Sequence, residues 1–130
     1  MTDSRHEPCR ILIVDDHDDT ARAYELLCRA WGYEARTART AEEAMSLFGA
    51  FSPDIALVDV HLPGMSGYDF ARAVRANATR ARTILVAVTG RTGDKDRVEA
   101  FRAGFNEFVT KPIDSDKLRG IVDELCTLAA

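Results

Sequence analysis

Five short runs with strand character alternate with five segments of helical periodicity, and this alternation constrains the fold more than any other feature of the chain. The strand-like runs are Arg10–Asp16 (RILIVDD), Tyr33–Ala38, Asp54–Val60 (DIALVDV), Thr83–Thr89 (TILVAVT) and Phe105–Thr110. The first and third are apolar on both faces, as a buried parallel strand requires. The second is more polar and suits a place nearer a sheet edge. Between the first two runs, Thr20, Tyr24, Leu27, Cys28 and Trp31 form one helical stripe, with Gly32 as its stop. Thr40 and Glu43 have capping-box spacing, and Ala44, Leu47 and Phe48 supply the apolar face of the helix they open. Ser66 caps a third helix with Phe70, Ala73 and Val74 inward. A fourth helix around Asp94–Ala103 places Val98 and Phe101 together and ends at Gly104. Asp114 or Ser115 caps a fifth, with a stripe of Leu118, Ile121, Val122, Leu125 and Leu128. Strands that alternate with helices imply a parallel sheet, because parallel neighbours need crossover connections. Right-handed crossovers let the helices cover both faces.

The length of 130 residues suits one domain. We expect a flexible tail over residues 1–9 and the folded domain over 10–130. The formal net charge of −4 argues against non-specific nucleic-acid binding or binding to an anionic membrane. Cys9, Cys28 and Cys126 show no zinc spacing, and each reads as a small apolar filler or a surface thiol. Their odd number fits a reducing compartment. With no secretory h-region and no apolar run of membrane-spanning length, a cytoplasmic location is expected.

Ligands of open α/β sheets gather beyond the carboxyl ends of the strands. That edge would receive Asp15 and Asp16 from the first strand, Asp59 from the third, Thr89 from the fourth and Lys111 after the fifth. Carboxylates so close together need a neutralising cation. An all-oxygen donor set points to a hard divalent ion, Mg²⁺ best, with Mn²⁺ able to substitute. Lys111 suits a phosphoryl oxygen, Thr89 offers a hydroxyl, and a carboxylate can attack phosphorus to give an acyl phosphate.

From Arg10 to about Leu128 the chain resembles the response-regulator receiver family. The resemblance is carried by ILIVDD, IALVDVHLPGMSGYD, VAVTG and FVTKPID. It implies a flavodoxin-like, doubly wound five-stranded parallel sheet of order 2-1-3-4-5 with five helices. It implies metal binding at Asp15, Asp16 and Asp59, with the backbone carbonyl of His61 as a further ligand. Asp59 would be the phosphoacceptor, Thr89 the switch hydroxyl, Phe108 the switch aromatic, and Lys111 the lysine before a cis proline at Pro112. The phosphoryl donor would be a histidine kinase or a histidine phosphotransfer protein, and the output an unknown protein partner met through helix four, strand five and helix five. No direct nucleic-acid or membrane contact is implied, and the chain would be a monomer or weak dimer. It would not be an enzyme beyond its own phosphorylation and dephosphorylation. The His61 side chain and Arg91 could tune the phosphoryl lifetime, or simply be solvated.

Two other readings compete. One is a phosphorylation-independent interaction module of the same fold, which would tend to lose the acidic pair, acceptor, Thr and Lys that are all kept here. The other is a metal-dependent phosphatase, which would need a cap or general acid that the chain does not display. The arginines of the third and fourth helices read as a solvated face, with Lys95, Arg97 and Arg102 as a possible partner contact.

Overall fold

The computed structural model describes residues 8–77, 82–90 and 93–129. The chain runs β1 (Arg10–Val14), α1 (Asp18–Ala30), β2 (Glu34–Ala38), α2 (Ala41–Phe51), β3 (Ile55–Asp59), α3 (Gly67–Ala76), β4 (Ile84–Thr89), α4 (Asp94–Ala103), β5 (Glu107–Thr110) and α5 (Ser115–Ala129). The five strands form one sheet in the order β2-β1-β3-β4-β5, with every pairing parallel. This is the flavodoxin-like arrangement.

Side chains alternate across each strand, and the core divides accordingly. Leu12, Val14, Ala56, Val58, Leu85, Ala87 and Phe108 face one layer, where Phe48, Phe51, Phe70, Val74, Ala100 and Ala103 of α2, α3 and α4 cover them. Ile11, Ile13, Ile55, Leu57, Val86, Val88 and Val109 face the other, under Ala21 and Cys28 of α1 and Leu118, Val122 and Leu125 of α5. Right-handed crossovers explain the division. The chain steps one way from β1 to β2, and the opposite way from β2 to β3 and onward. So α1 falls on one face and α2, α3 and α4 on the other.

The predicted caps are formed. The Thr40 hydroxyl accepts from the Glu43 N–H at 3.0 Å, and Ser66 accepts from Asp69 at 3.1 Å. Asp114, rather than Ser115, caps α5 by accepting from the Lys117 N–H at 2.8 Å. The Lys111–Pro112 bond is cis, as expected.

Four expectations are corrected. Val98 and Phe101 are 47% and 44% exposed, because α4 turns Ala100 and Ala103 to the core. Leu128 is 68% exposed, because the α5 stripe leaves the sheet near Leu125. Cys9 and Cys126 are neither fillers nor lone thiols: they form a disulfide across a Cα–Cα distance of 6.0 Å, which fixes Cys9 to the last helix and removes the argument from the cysteine count for a reducing compartment. Cys28 alone is the buried filler expected. Finally, Arg75 of α3 is not on a solvated face. Its guanidinium donates to the carbonyls of Gly104 and Thr83, each at 2.8 Å, and to Asn106 Oδ1. Of the expected tail, residues 1–7 lie outside the described residues. No helix among the described residues is long and apolar enough to cross a membrane.

Candidate phosphoacceptor and metal site

Because all strands are parallel, their carboxyl ends share one edge. Register then brings the polar residues together: Val14 pairs with Val58, Asp59 with Val88, and Thr89 with Thr110. The crevice opens between β1 and β3, where the direction of strand addition reverses. Such switch points are where open α/β sheets bind ligands.

Asp15 and Asp59 are each only 4% exposed. Both carboxylates divide their oxygens in the same way. Asp59 Oδ2 receives the Lys111 ammonium at 3.1 Å, and Asp59 Oδ1 accepts the His61 backbone N–H at 2.8 Å. Asp15 Oδ2 lies 3.7 Å from Lys111 Nζ, and Asp15 Oδ1 accepts the His17 backbone N–H at 2.9 Å. Asp16 sits outward at the rim. Burial pulls the Lys111 pKa down, but the hydrogen bond and charge of Asp59, with Asp15 and Tyr24 adding, outweigh it and leave the net shift upward. Lys111 is therefore a firmly held cation. Its backbone N–H also donates to the Thr89 carbonyl at 2.7 Å, which ties the ends of β4 and β5 together.

One donor atom each from Asp15, Asp16, His17 and Asp59 can be chosen so that all lie within 4.8 Å of one another. Three carboxylates with one ammonium beside them leave an excess of negative charge. Oxygen donors at this spacing suit a divalent cation such as Mg²⁺.

Gly67 sets the shape of the loop that follows Asp59. A Cβ there would stand 2.6 Å from Val60 Cα and 2.8 Å from the Asp59 carbonyl oxygen, so only glycine lets α3 start this close to β3. The closing glycine of the LPGMSG segment thus has a steric reason.

The other expected residues are distributed as follows. Thr89 is buried at the end of β4. The His61 side chain is exposed. Phe108 is buried beneath the Arg97 guanidinium, which lies 4.8 Å from its ring centroid. Lys95 and Arg102 line a groove of about 590 Å³ with Arg72 and Val98. Arg91 lies outside the described residues.

Sequence reading missed two residues at the pocket. His17 places its Nδ1 3.1 Å from Asp15 Oδ1. Tyr24 approaches Lys111 and Asp15; burial chiefly raises its pKa, with Lys111 and an Ile113 backbone hydrogen bond opposing. The adjacency of His17 to the acidic pair was the available signal. Tyr24 gave none, because an aromatic on a helical stripe reads as core.

Comparison with known proteins agrees with this geometry. The family model "Response regulator receiver domain" matches residues 11–123. The chain is 36% identical over 105 residues to the response regulator PleD of Caulobacter vibrioides, covering 81% of this chain and 23% of that protein. It is 34% identical over 119 residues to the regulatory protein AtoC of Escherichia coli, covering 92% and 25%. It thus spans about a quarter of the length of these relatives. Among solved structures, the chemotaxis response regulator CheY4 of Vibrio cholerae superposes with a TM-score of 0.85 at 25% identity, covering 90% of this chain and 98% of that one. The signal receiver domain of a signal transduction histidine kinase from Syntrophus aciditrophicus gives 0.84 at 26% identity, covering 92% and 91%. With its fold, its acidic crevice and this match in agreement, the chain belongs to the response regulator receiver domain family of two-component signalling.

Proposed function

We propose that residues 10–130 act as a phosphorylation switch whose acceptor is Asp59. The observation that carries this reading is the Asp59 carboxylate itself: buried at the end of β3, held by the Lys111 ammonium at 3.1 Å and flanked by the acidic pair Asp15 and Asp16. In the transfer, an Asp59 oxygen forms a bond to phosphorus as the N–P bond of a donor phosphohistidine breaks. The donor imidazole leaves with the bonding pair and takes a proton. Lys111 and the Thr89 hydroxyl hold phosphoryl oxygens, and the His61 N–H keeps the carboxylate oriented.

Asp15, Asp16, Asp59 and the His61 backbone carbonyl would hold Mg²⁺, with Mn²⁺ able to replace it. Bound there, the ion offsets the charge of the carboxylates and of the incoming phosphoryl group. A histidine kinase or phosphotransfer protein supplies the phosphoryl group, and both act in the cytoplasm in this reading. The domain turns over no separate substrate. Phosphorylation shifts a pre-existing equilibrium, drawing Thr89 toward the phosphoryl group. The change is read by a protein partner on α4, β5 and α5. Exposed Val98 and Phe101 supply apolar surface there, and Phe108 lies beneath it.

The test is intact-protein mass after incubation with a small phosphoramidate donor, with and without Mg²⁺, on wild type and Asp59→Asn. Mg²⁺-dependent gain of one phosphoryl group, lost in the variant, is expected. Equal gain by the variant would overturn the assignment of Asp59. Failure with phosphohistidine donors as well would favour the phosphorylation-independent interaction module.

A further inference from the structure

We propose that His17 is a side-chain ligand of the divalent-cation site and biases it toward first-row transition ions over Mg²⁺. The inference rests on the metal reading above and adds a donor that the acidic pair alone does not supply.

His17 is the N-cap residue of α1, yet its side chain makes no cap hydrogen bond. The ring is turned to the pocket instead. Its backbone N–H is held by Asp15 Oδ1 at 2.9 Å, which fixes the residue beside the carboxylates. Nδ1 then lies 3.1 Å from Asp15 Oδ1, a hydrogen bond when Nδ1 carries the proton, and 3.4 Å from Asp16 Oδ1; a bound ion would take the place of that proton. Ligands to one small cation must themselves be close neighbours. With bonds of about 2.1 Å, adjacent octahedral ligands stand roughly 3.0 Å apart and opposite ones roughly 4.2 Å apart. The two measured separations match adjacent positions. The four donor atoms, all within 4.8 Å of one another, need only a small contraction to enclose an ion. The ring is largely exposed, so it is free to make that adjustment.

The consequence lies in ion preference. Carboxylate, carbonyl and water oxygens suit Mg²⁺, which has little use for imidazole. Cobalt, zinc, nickel and iron gain from a nitrogen donor. Ligation uses the tautomer that carries its proton on Nε2. The other imidazole nearby, His61, contributes its backbone N–H to Asp59 but no ring nitrogen to this donor set. The structure thus separates the two imidazoles by position.

Untagged chain is titrated calorimetrically with Mg²⁺ and, separately, with Co²⁺, for wild type, His17→Ala and His17→Asn. His17→Asn retains a side chain that N-caps well, so helix fraying is controlled. Both His17 variants should lose Co²⁺ affinity by at least the roughly tenfold that even an outer-shell partner of a metal ligand is worth. Their Mg²⁺ affinity should fall by distinctly less than their Co²⁺ affinity. Electron spin-echo spectra of the Mn²⁺ form should show modulation from a coordinated imidazole nitrogen, absent in the His17 variants. Mg²⁺ binding by wild type with no nitrogen coupling, or with equal losses for Co²⁺ and Mg²⁺, overturns the role of His17 alone. No binding of either ion by wild type overturns the metal reading and this inference together.

Discussion

The ion pairs of Lys111 are with Asp15 and Asp59, and Asp16 pairs instead with the His17 ring at the rim, so removing its charge relieves repulsion among the carboxylates while leaving the Lys111 contacts in place. Unit charges about 4 Å apart in a water-like medium interact by about 1 kcal/mol, and we expect Asp16→Asn to stabilise the metal-free domain by that order. If Asp16 is a ligand as proposed, the same change should weaken Mg²⁺ binding. Thermal unfolding with chelator and then with saturating Mg²⁺ should therefore show the variant ahead in the first condition and behind in the second. A variant less stable in both would mean that Asp16 serves the fold and not the ion. Cys28 is a second informative residue. Burial, with the charge of Asp123 adding, pushes its thiol up to about 12 from an ordinary 9.0. Tyr33 is likewise pushed up to about 12, by burial first and then by its hydrogen bond to Asp123. Both groups hold their protons more tightly folded than unfolded. Their stabilising contribution is complete below the unfolded pKa values and is lost as pH rises through the folded ones. Urea midpoints should fall between pH 9 and 12, and Cys28→Ala should flatten the lower part of that fall. An unchanged profile would show that the thiol does not titrate differentially.

At the scale of elements, α3 is held to the rest of the domain by Arg75 as well as by its apolar stripe. The guanidinium spans α3, the turn after α4 and the start of β4, while Asn106 Oδ1 also accepts the Leu85 N–H at 2.8 Å. Gly104 makes room for it: a Cβ there would stand 2.6 Å from Arg75 Cγ, and the φ of 118° is itself a glycine conformation. Arg75→Met keeps the stem but strands two carbonyls and leaves Asn106 Oδ1 with the Leu85 N–H alone, so a loss of about 2–3 kcal/mol is expected. It should appear as a lower urea midpoint at unchanged slope. A change within experimental error would show that water replaces the guanidinium at no loss. None of this was legible in the sequence, because periodicity marks apolar faces and says nothing about which arginine turns inward. The alternation of strands and helices was legible, since five parallel strands need both their faces covered. So was the convergence of Asp15, Asp59, Thr89 and Lys111, since parallel strands put their carboxyl ends on one edge. Val98 and Phe101 misled because α4 packs through small residues, and an apolar pair on a short helix does not reveal which side is covered. His17 was missed because a single imidazole beside carboxylates has no spacing to read.

At the scale of the whole molecule, the domain has two differently built ends. The carboxyl edge of the sheet gathers the charged pocket. The amino edge is closed by the Cys9–Cys126 disulfide, which joins the residue before β1 to the last turns of α5 across 117 positions of sequence. Pairing over such a distance depends on where two ends of a chain meet in space, which three scattered cysteines do not disclose. The seam between α1 and α5 runs toward the same end: Tyr33 bonds Asp123, and the Arg119 guanidinium lies 5.4 Å from the Trp31 ring centroid. Cys28 is buried in the same cluster, but its raised pKa keeps it a thiol and hence a poor nucleophile toward the bridge. A crosslink of this length restricts the unfolded chain, and losing one typically costs about 2–4 kcal/mol. Reductant should therefore lower the Tm of wild type by on the order of 10 °C. It should leave Cys126→Ser unaffected, with that variant melting where reduced wild type does. Because α5 runs antiparallel to the strands, its tethered end is remote from Asp59, and phosphoryl uptake at 25 °C by the mass assay should be the same with and without reductant. Identical melting in both conditions would show that the bridge adds nothing to the fold. A loss of phosphoryl uptake on reduction would show instead that the two ends of the sheet are coupled through α5.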